Sequence, residues 1–219
     1  MEIIRNTNES EMILEFLKGE INSNRFNNEL IKVLGQLNLN KDIIINGDIS
    51  NQEENNNRLK IMSLFRGYPD KELFENFPII DKWEFMKLSS EDINHIYYID
   101  YDYWNELSSN TSSPIEAAKN INNGVEVYDV SNKPFLDGIK YLENNAFPPV
   151  ILITCNDERF LIIEGHSRMT IYGFNPSKLE GTYAYVGYCS PEEMKKYDSR
   201  MLSGESLKSR KYKEVDLSV

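Results

Sequence analysis

The segment between residues 148 and 168 constrains the fold of this chain more than any other stretch. Two short apolar runs, at 150–154 and 160–163, consist mainly of β-branched, aliphatic and aromatic residues, and a polar tetrapeptide at 156–159 separates them. The runs have the length and composition of β-strands, and Asn-Asp-Glu-Arg between them is typical of a turn. The sequence therefore predicts a β-hairpin at this position.

The periodicity of the chain changes directly after the hairpin. Apolar residues recur at helical spacing from residue 169 to the Asn-Pro pair at 175–176, which predicts a short helix that ends there. Gly165 would lie at the helix N-terminus, where it allows a ligand to approach backbone N–H groups that favour an anion. Arg168 adds a bidentate donor for phosphate oxygens. The alternative is a plain polar turn with Arg168 on the surface.

Three further polar residues in this turn are candidates for chemistry. His166 could donate to a phosphate or move a proton, because imidazole titrates near neutral pH. Ser167 could help to orient the phosphates. Glu164 is the best candidate for a base that accepts a hydroxyl proton, and the alternative is that it only positions the loop or a Mg²⁺ ion. A metal site of several imidazoles is excluded, because His95 is the only other histidine.

The order strand, turn, strand, Gly-His-Ser-Arg and helix resembles the Gly-x-x-Arg box of the ParB/sulfiredoxin superfamily. The stretch 135–143, followed by Phe-Pro-Pro-Val at 147–150, is similar to the helix that leads into the hairpin of that fold. The resemblance covers roughly residues 125–190 and leaves the N-terminal half unmatched. It implies an α+β fold with a mixed sheet and surrounding helices, in which residues 165–168 hold the phosphates of ATP or CTP.

The middle of the box departs from two branches of this superfamily. Chromosome-partition ParB proteins usually have Gly-Glu-Arg-Arg, whereas His166 and Ser167 fill the middle here. Sulfiredoxins carry a nucleophilic cysteine directly after the glycine, so sulfinic-acid reductase chemistry is not expected. The acidic-Gly-His-x-Arg box of ParB-like small-molecule kinases, such as the free serine kinases, is similar to residues 164–168. This resemblance implies a Mg²⁺-dependent phosphotransferase or NTPase that acts on a small hydroxylated acceptor.

Two alternatives to an enzyme stay open. The first is a nucleotide-sensing module without chemistry, in which binding orders the acidic N-terminal half for a protein partner. The second is a DNA-associated ParB-type adaptor, which the charge of the chain and the absence of a recognisable helix-turn-helix after residue 190 disfavour.

Composition narrows the class of partner. The formal net charge is -11 and the isoelectric point is about 4.8, so the chain would repel nucleic acid, which is bound by clustered Lys and Arg. The basic cluster at 208–213 is predicted to be a solvated tail.

The sequence contains no run of about 20 apolar residues that could span a bilayer, and the N-terminus does not resemble a signal peptide. We expect a cytoplasmic protein, with Cys155 and Cys189 as small core residues.

Three parts are predicted along the chain: an N-terminal helical extension at 1–80, a nucleotide-binding core at 81–200 and a C-terminal tail at 201–219. In the extension we predict two helices between 9 and 37, a buried strand or short apolar run at 43–46, and a polar loop at 47–57. In the core we predict a capped helix at 112–124, a strand at 125–130, a helix at 134–143, a strand at 182–189 and a helix from 190.

An aromatic and acidic band extends from Trp83 to Leu107. Its rings could stack a purine, and the alternative is that they fill the core. Asp100 and Asp102 could ligate Mg²⁺, because hard oxygen ligands suit that ion.

Overall fold

Six strands form one mixed sheet in the computed structural model, which describes residues 1–23 and 26–202. The strands are β1 (Glu2–Thr7), β2 (Ile80–Lys87), β3 (Ile96–Tyr97), β4 (Val150–Thr154), β5 (Phe160–Glu164) and β6 (Tyr183–Cys189). Their order across the sheet is β1-β2-β6-β4-β5-β3. β4 pairs antiparallel with β5 and parallel with β6, which confirms the predicted hairpin and places the returning strand beside it.

The helices lie before, between and after these strands. They are α1 (Glu9–Ile21), α2 (Asn27–Gln36), α3 (Asp42–Ile45), α4 (Gln52–Arg66), α5 (Asp102–Leu107), α6 (Pro114–Asn122), α7 (Lys133–Leu142), α8 (His166–Phe174) and α9 (Pro191–Tyr197). Short 3-10 helices occupy Glu72–Phe74, Ser90–His95, Pro176–Leu179 and Ser199–Met201. The predicted α+β class is confirmed, and so are the helices at 9–37, 112–124, 134–143 and after 190.

The central strands β4 and β5 are buried on both faces of the sheet. Ile151 and Ile153 pack into one cluster with residues of α1, α2 and α4, whereas Val150 and Leu152 pack into a second cluster with residues of α6 and α8. Side chains alternate between the faces of a strand, so a strand covered on both sides must be apolar at every position. This requirement explains the uninterrupted Val-Ile-Leu-Ile run of β4.

The apolar run at 43–46 is not a strand. Residues 42–45 form the single-turn helix α3, in which Ile44 is fully buried and Ile45 is exposed. Only one of the three isoleucines is fully buried, as expected for a short helix that contacts the core with one face. A buried strand would instead bury the side chains on both of its faces.

The polar stretch at 47–57 is a loop only over its first half. The side chain of Asn51 accepts hydrogen bonds from the amides of Glu53 and Glu54, and α4 begins at Gln52. An asparagine N-cap and acidic residues in the first turn stabilise a helix start, although the polar composition alone indicates a loop. Farther along α4, the buried side chains of Ile61, Met62 and Phe65 pack into the core and hold the helix in place.

The predicted strand at 125–130 is also absent. Tyr128 and Asp129 both have positive φ angles, of 53° and 57°, and Val127 and Val130 form only an isolated bridge. Two consecutive left-handed residues reverse the chain and prevent an extended run. The alternation of apolar and polar residues therefore belongs to a tight turn.

The N-terminal part contributes a strand as well as helices. β1, which the helical prediction for residues 1–80 did not include, pairs antiparallel with β2 at the edge of the sheet.

Cys155 is half-buried and Cys189 is buried, and both are free thiols. Within the described ranges, no helix has the length and apolar character needed to cross a membrane. The basic cluster at 208–213, and the tail from 203 onward, lie outside the described residues.

Arg58 organises the N-terminal helices from inside the protein. The residue is 0% exposed, and its guanidinium donates to the carbonyl oxygens of Ile43 and Asp48 at 2.9 and 2.8 Å. It also pairs with the carboxylate of Glu54 at 2.9 Å, one turn earlier in α4. A buried charge is tolerated only when it is paired and hydrogen-bonded, so these contacts tie the α3 turn to α4.

We expect the substitution Arg58→Ala to lower the free energy of unfolding by about 3 kcal/mol, because a fully buried side chain is removed and two partly buried carbonyl groups lose their donor. Urea denaturation followed by circular dichroism measures this value. Lys60→Ala, on the exposed side of the same helix, should change stability by less than about 0.5 kcal/mol. Equal effects of the two substitutions would contradict a structural role for Arg58.

Candidate functional site

The predicted phosphate turn joins β5 to α8, and Gly165 makes the junction. Its φ angle is 103°, in the left-handed region, and α8 begins at the next residue. A Cβ atom at this position would lie 2.5 Å from Cγ1 of Val150. Both the backbone angle and the close packing therefore require glycine, and they fix the direction in which α8 leaves the sheet.

The N-terminus of α8 carries backbone donors without a side-chain cap. The amide of Met169 donates to the carbonyl of Gly165 at 2.8 Å, which is the first intrahelical bond. The amides of residues 166–168 thus have no intrahelical acceptor, and no side chain at the N-cap bonds to them. Ser167 is exposed at this end. Amides without an intrahelical acceptor and the positive end of the helix dipole make the position favourable for an anion.

Arg168 lies at the same end, and several of its contacts are internal. Its guanidinium donates to the carbonyls of Pro148 and Pro149 at 2.9 and 2.5 Å and forms an ion pair with Glu164. Among the described residues these contacts use three of the five N–H groups that an arginine carries. Arg168 therefore holds the chain that enters β4, and it retains donors for a ligand.

Helix α1 lies against the Glu164–Arg168 pair. A Cβ atom on Gly19 would be 2.8 Å from Oε1 of Glu164. Burial raises the pKa of Glu15, and the charge of Glu164 raises it further, whereas the charges of Lys18 and Arg168 oppose this. The N-terminal half therefore adds the Glu15 carboxylate and the close packing of Gly19 to the surroundings of the turn. Sequence analysis did not find these residues, although a glycine inside a helical pattern is a signal of close packing.

The ring of His166 is part of an aromatic stack. It lies 5.3 Å from the ring of Trp104 and 6.1 Å from the ring of Tyr98, nearly parallel to both. Its Nε2 atom is buried and has no hydrogen-bond partner within the described residues. Burial, assisted by the charge of Arg168, lowers the pKa of His166 to about 3. The imidazole is therefore neutral near pH 7, and the ring links the turn to the aromatic band.

The aromatic band mainly packs inside the protein. Tyr98 is fully buried, and its hydroxyl group lies 2.6 Å from that of Thr170 in α8. Asp100 accepts a hydrogen bond from Asn105 at 2.8 Å and lies 3.5 Å from the guanidinium of Arg200. Over residues 1–23 and 26–202, no group of three or more His, Cys, Asp or Glu side chains could hold a metal ion.

Comparison with known proteins identifies no relative. No family model matches the chain, and neither a curated protein nor a solved structure matches it. The similarity of residues 165–168 to the Gly-x-x-Arg box therefore stays a prediction from the sequence.

We expect Gly165→Ala to destabilise the protein by about 3 kcal/mol, because the left-handed angle and the contact with Val150 both resist a side chain. Thermal and chemical denaturation measure the change. Gly35→Ala is a matched control: this helical glycine has no atom within 4 Å of an added Cβ, and alanine should stabilise the helix by about 0.5 kcal/mol. A neutral Gly165→Ala would contradict the turn geometry.

The low pKa of His166 predicts a loss of stability in acid. The unfolded chain takes up a proton at the ordinary histidine pKa of 6.5, whereas the folded chain resists protonation down to about 3. Stability should therefore fall as the pH drops below 6.5, by at most about 1.4 kcal/mol per pH unit from this residue. His166→Phe should show a shallower fall. A folded-state midpoint near 6.5, measured on the His166 ring by NMR, would contradict this.

Proposed function

We propose that this chain binds a nucleotide, ATP or CTP, through its phosphates at residues 165–168. The observation that carries the proposal is the uncapped N-terminus of α8, with the Arg168 guanidinium beside it. Amides of a helix start and an arginine fork together suit the oxygens of a polyphosphate. The ParB/sulfiredoxin-like arrangement belongs to the same proposal, supported by the hairpin, this turn and the parallel return of β6.

Phosphate binding would proceed by exchange of ion-pair partners. A phosphate group would compete with the carboxylate of Glu164 for Arg168, since each presents a pair of oxygens that can accept two hydrogen bonds from a guanidinium. Released Glu164, near Glu15, would repel the incoming charge, and Mg²⁺ between the carboxylate and the phosphates would neutralise it. Because Gly19 packs against Glu164, this exchange would loosen the contact of α1. The chain would thereby act as a nucleotide sensor.

A phosphotransferase is the second candidate function, and the position of Glu164 favours it. Once released from Arg168, this carboxylate would stand beside the bound phosphates as a base for the hydroxyl group of a small acceptor. His166, with its lowered pKa, would then act as a neutral group that orients the turn and not as an acid. Steady release of phosphate or ADP in the presence of Mg²⁺ distinguishes this enzyme from a sensor.

We expect Ser167→Asp to abolish nucleotide binding without harming the fold. The added carboxylate would lie at the positive end of α8, where it stabilises the helix by about 0.5 kcal/mol and repels phosphate. Calorimetric titration with ATP and CTP, with and without Mg²⁺, measures binding, and thermal denaturation measures stability.

Ser177→Asp is the matched control. Ser177 is exposed just beyond the C-terminal end of α8, so the same charge there should leave nucleotide affinity unchanged. Absence of binding by the wild-type protein, or equal binding by Ser167→Asp, would refute the proposal.

A further inference from the structure

A polar groove lies on the sheet, away from the phosphate turn. It has a volume of about 980 Å³ and is bordered by β2, β6, the 3-10 helix Ser90–His95 and the turn between β4 and β5. Six of its lining residues carry the argument that follows: Lys82, Glu84, Tyr97, Asp157, Arg159 and Tyr188. We call it the Glu84 groove. None of the residues 164–168 lines it.

Glu84 is a buried carboxylate that is only half satisfied. The residue is 5% exposed, and its Oε1 atom accepts a hydrogen bond from Nζ of Lys82 at 2.9 Å. Its Oε2 atom is inaccessible and has no hydrogen-bond partner in the described part of the chain. A buried acceptor without a donor is costly, so Oε2 would gain from a donor that the tethered ammonium of Lys82 does not supply.

The ammonium group of Lys82 marks where such a cation would bind. Nζ lies 4.1 Å from the centroid of the Tyr188 ring while it contacts Glu84, and the Lys82 side chain is 55% exposed. A carboxylate and an aromatic face are the two groups that recognise an organic ammonium ion. Because the stem of Lys82 lies largely in solvent, the side chain can leave without exposing the core.

The mouth of the groove carries a second carboxylate. Burial raises the pKa of Tyr188, and hydrogen bonding to Glu84 and Asp157 together with their charges raises it further, which places both carboxylates close to the phenol. Asp157 is exposed in the turn between β4 and β5. On the other side, Arg159 stacks on Tyr97 at 4.5 Å and donates to the carbonyl of Arg200 at 3.1 Å. These two contacts hold the guanidinium of Arg159 against the Tyr97 ring.

We propose that the Glu84 groove binds a small organic diamine. One primary ammonium group replaces that of Lys82 on the Tyr188 ring and, once the displacement of Lys82 has opened the approach to Oε2, donates to both oxygens of Glu84. The other ammonium group meets Asp157 at the mouth. An anion would be repelled by Glu84, and a quaternary ammonium ion has no N–H group for Oε2. The aromatic face also favours an organic cation over a hard metal ion.

Calorimetric titration with putrescine tests the proposal, with butanediol as the neutral analogue of the same length. We expect saturable binding of putrescine by the wild-type protein and none of butanediol. Glu84→Gln keeps the shape of the side chain and should abolish binding. Lys82→Met removes the internal competitor and should tighten binding about tenfold, since a tethered group competes at a high effective concentration.

Two further variants keep the test decisive. Tyr188→Leu retains both carboxylates but removes the ring face, and it should weaken binding about tenfold. This variant replaces Lys82→Met as the test if Lys82→Met does not fold. Lys60→Met, on the exposed side of α4, removes the same charge elsewhere and should leave putrescine affinity unchanged.

Several outcomes would overturn the diamine site. These are equal heats from butanediol and putrescine, unchanged binding by Glu84→Gln, a weaker affinity of folded Lys82→Met, or no binding by the wild-type protein at millimolar putrescine. Ser167→Asp should bind putrescine as the wild-type protein does, so failure of the nucleotide proposal and failure of this one are distinguishable.

Discussion

Burial of β4 and β5 on both faces is the constraint on which the rest of the structure depends. Ile151 and Ile153 require a helical layer on one side of the sheet, and Val150 and Leu152 require another on the opposite side. The N-terminal helices supply the first layer, and α6 and α8 supply the second. Gly165 lies at the junction, because its contact with Val150 sets how α8 leaves the hairpin. The candidate phosphate turn is thus a product of core packing.

Both candidate sites contain opposite charges of the protein itself. Glu164 pairs with Arg168 at the helix start, and Lys82 pairs with Glu84 in the groove. Half-buried ions of this kind must be paired, because removal from water is costly when no partner is present. A ligand at either site would therefore displace one member of the ion pair and bind the other. This exchange is a physical basis for selectivity, since only a ligand with the chemistry of the displaced group can compete.

The sequence predicted the parts of the fold whose signals are local. The hairpin, the helix after Gly165 and the capped helix after Ser113 follow from composition, turn residues and caps that lie within a few positions. Of the two alternatives at 43–46 the strand is wrong, because only one face of the single-turn helix is buried. The loop at 47–57 and the strand at 125–130 are wrong where an asparagine cap begins a helix and where two left-handed residues reverse the chain. β1 was missed because an exposed edge strand has a weak apolar signal and depends on β2 for its hydrogen bonds.

The sequence by itself determined the class of the fold and the grouping of Glu164, Gly165, His166, Ser167 and Arg168, because neighbours along the chain stay neighbours in space. Tertiary structure alone decided what surrounds them. It brought Gly19 against Glu164 and stacked His166 on Trp104, and within residues 1–23 and 26–202 it left Oε2 of Glu84 without a donor. These contacts join residues far apart in the chain, so their energies arise only when the sheet and its two helical layers have assembled.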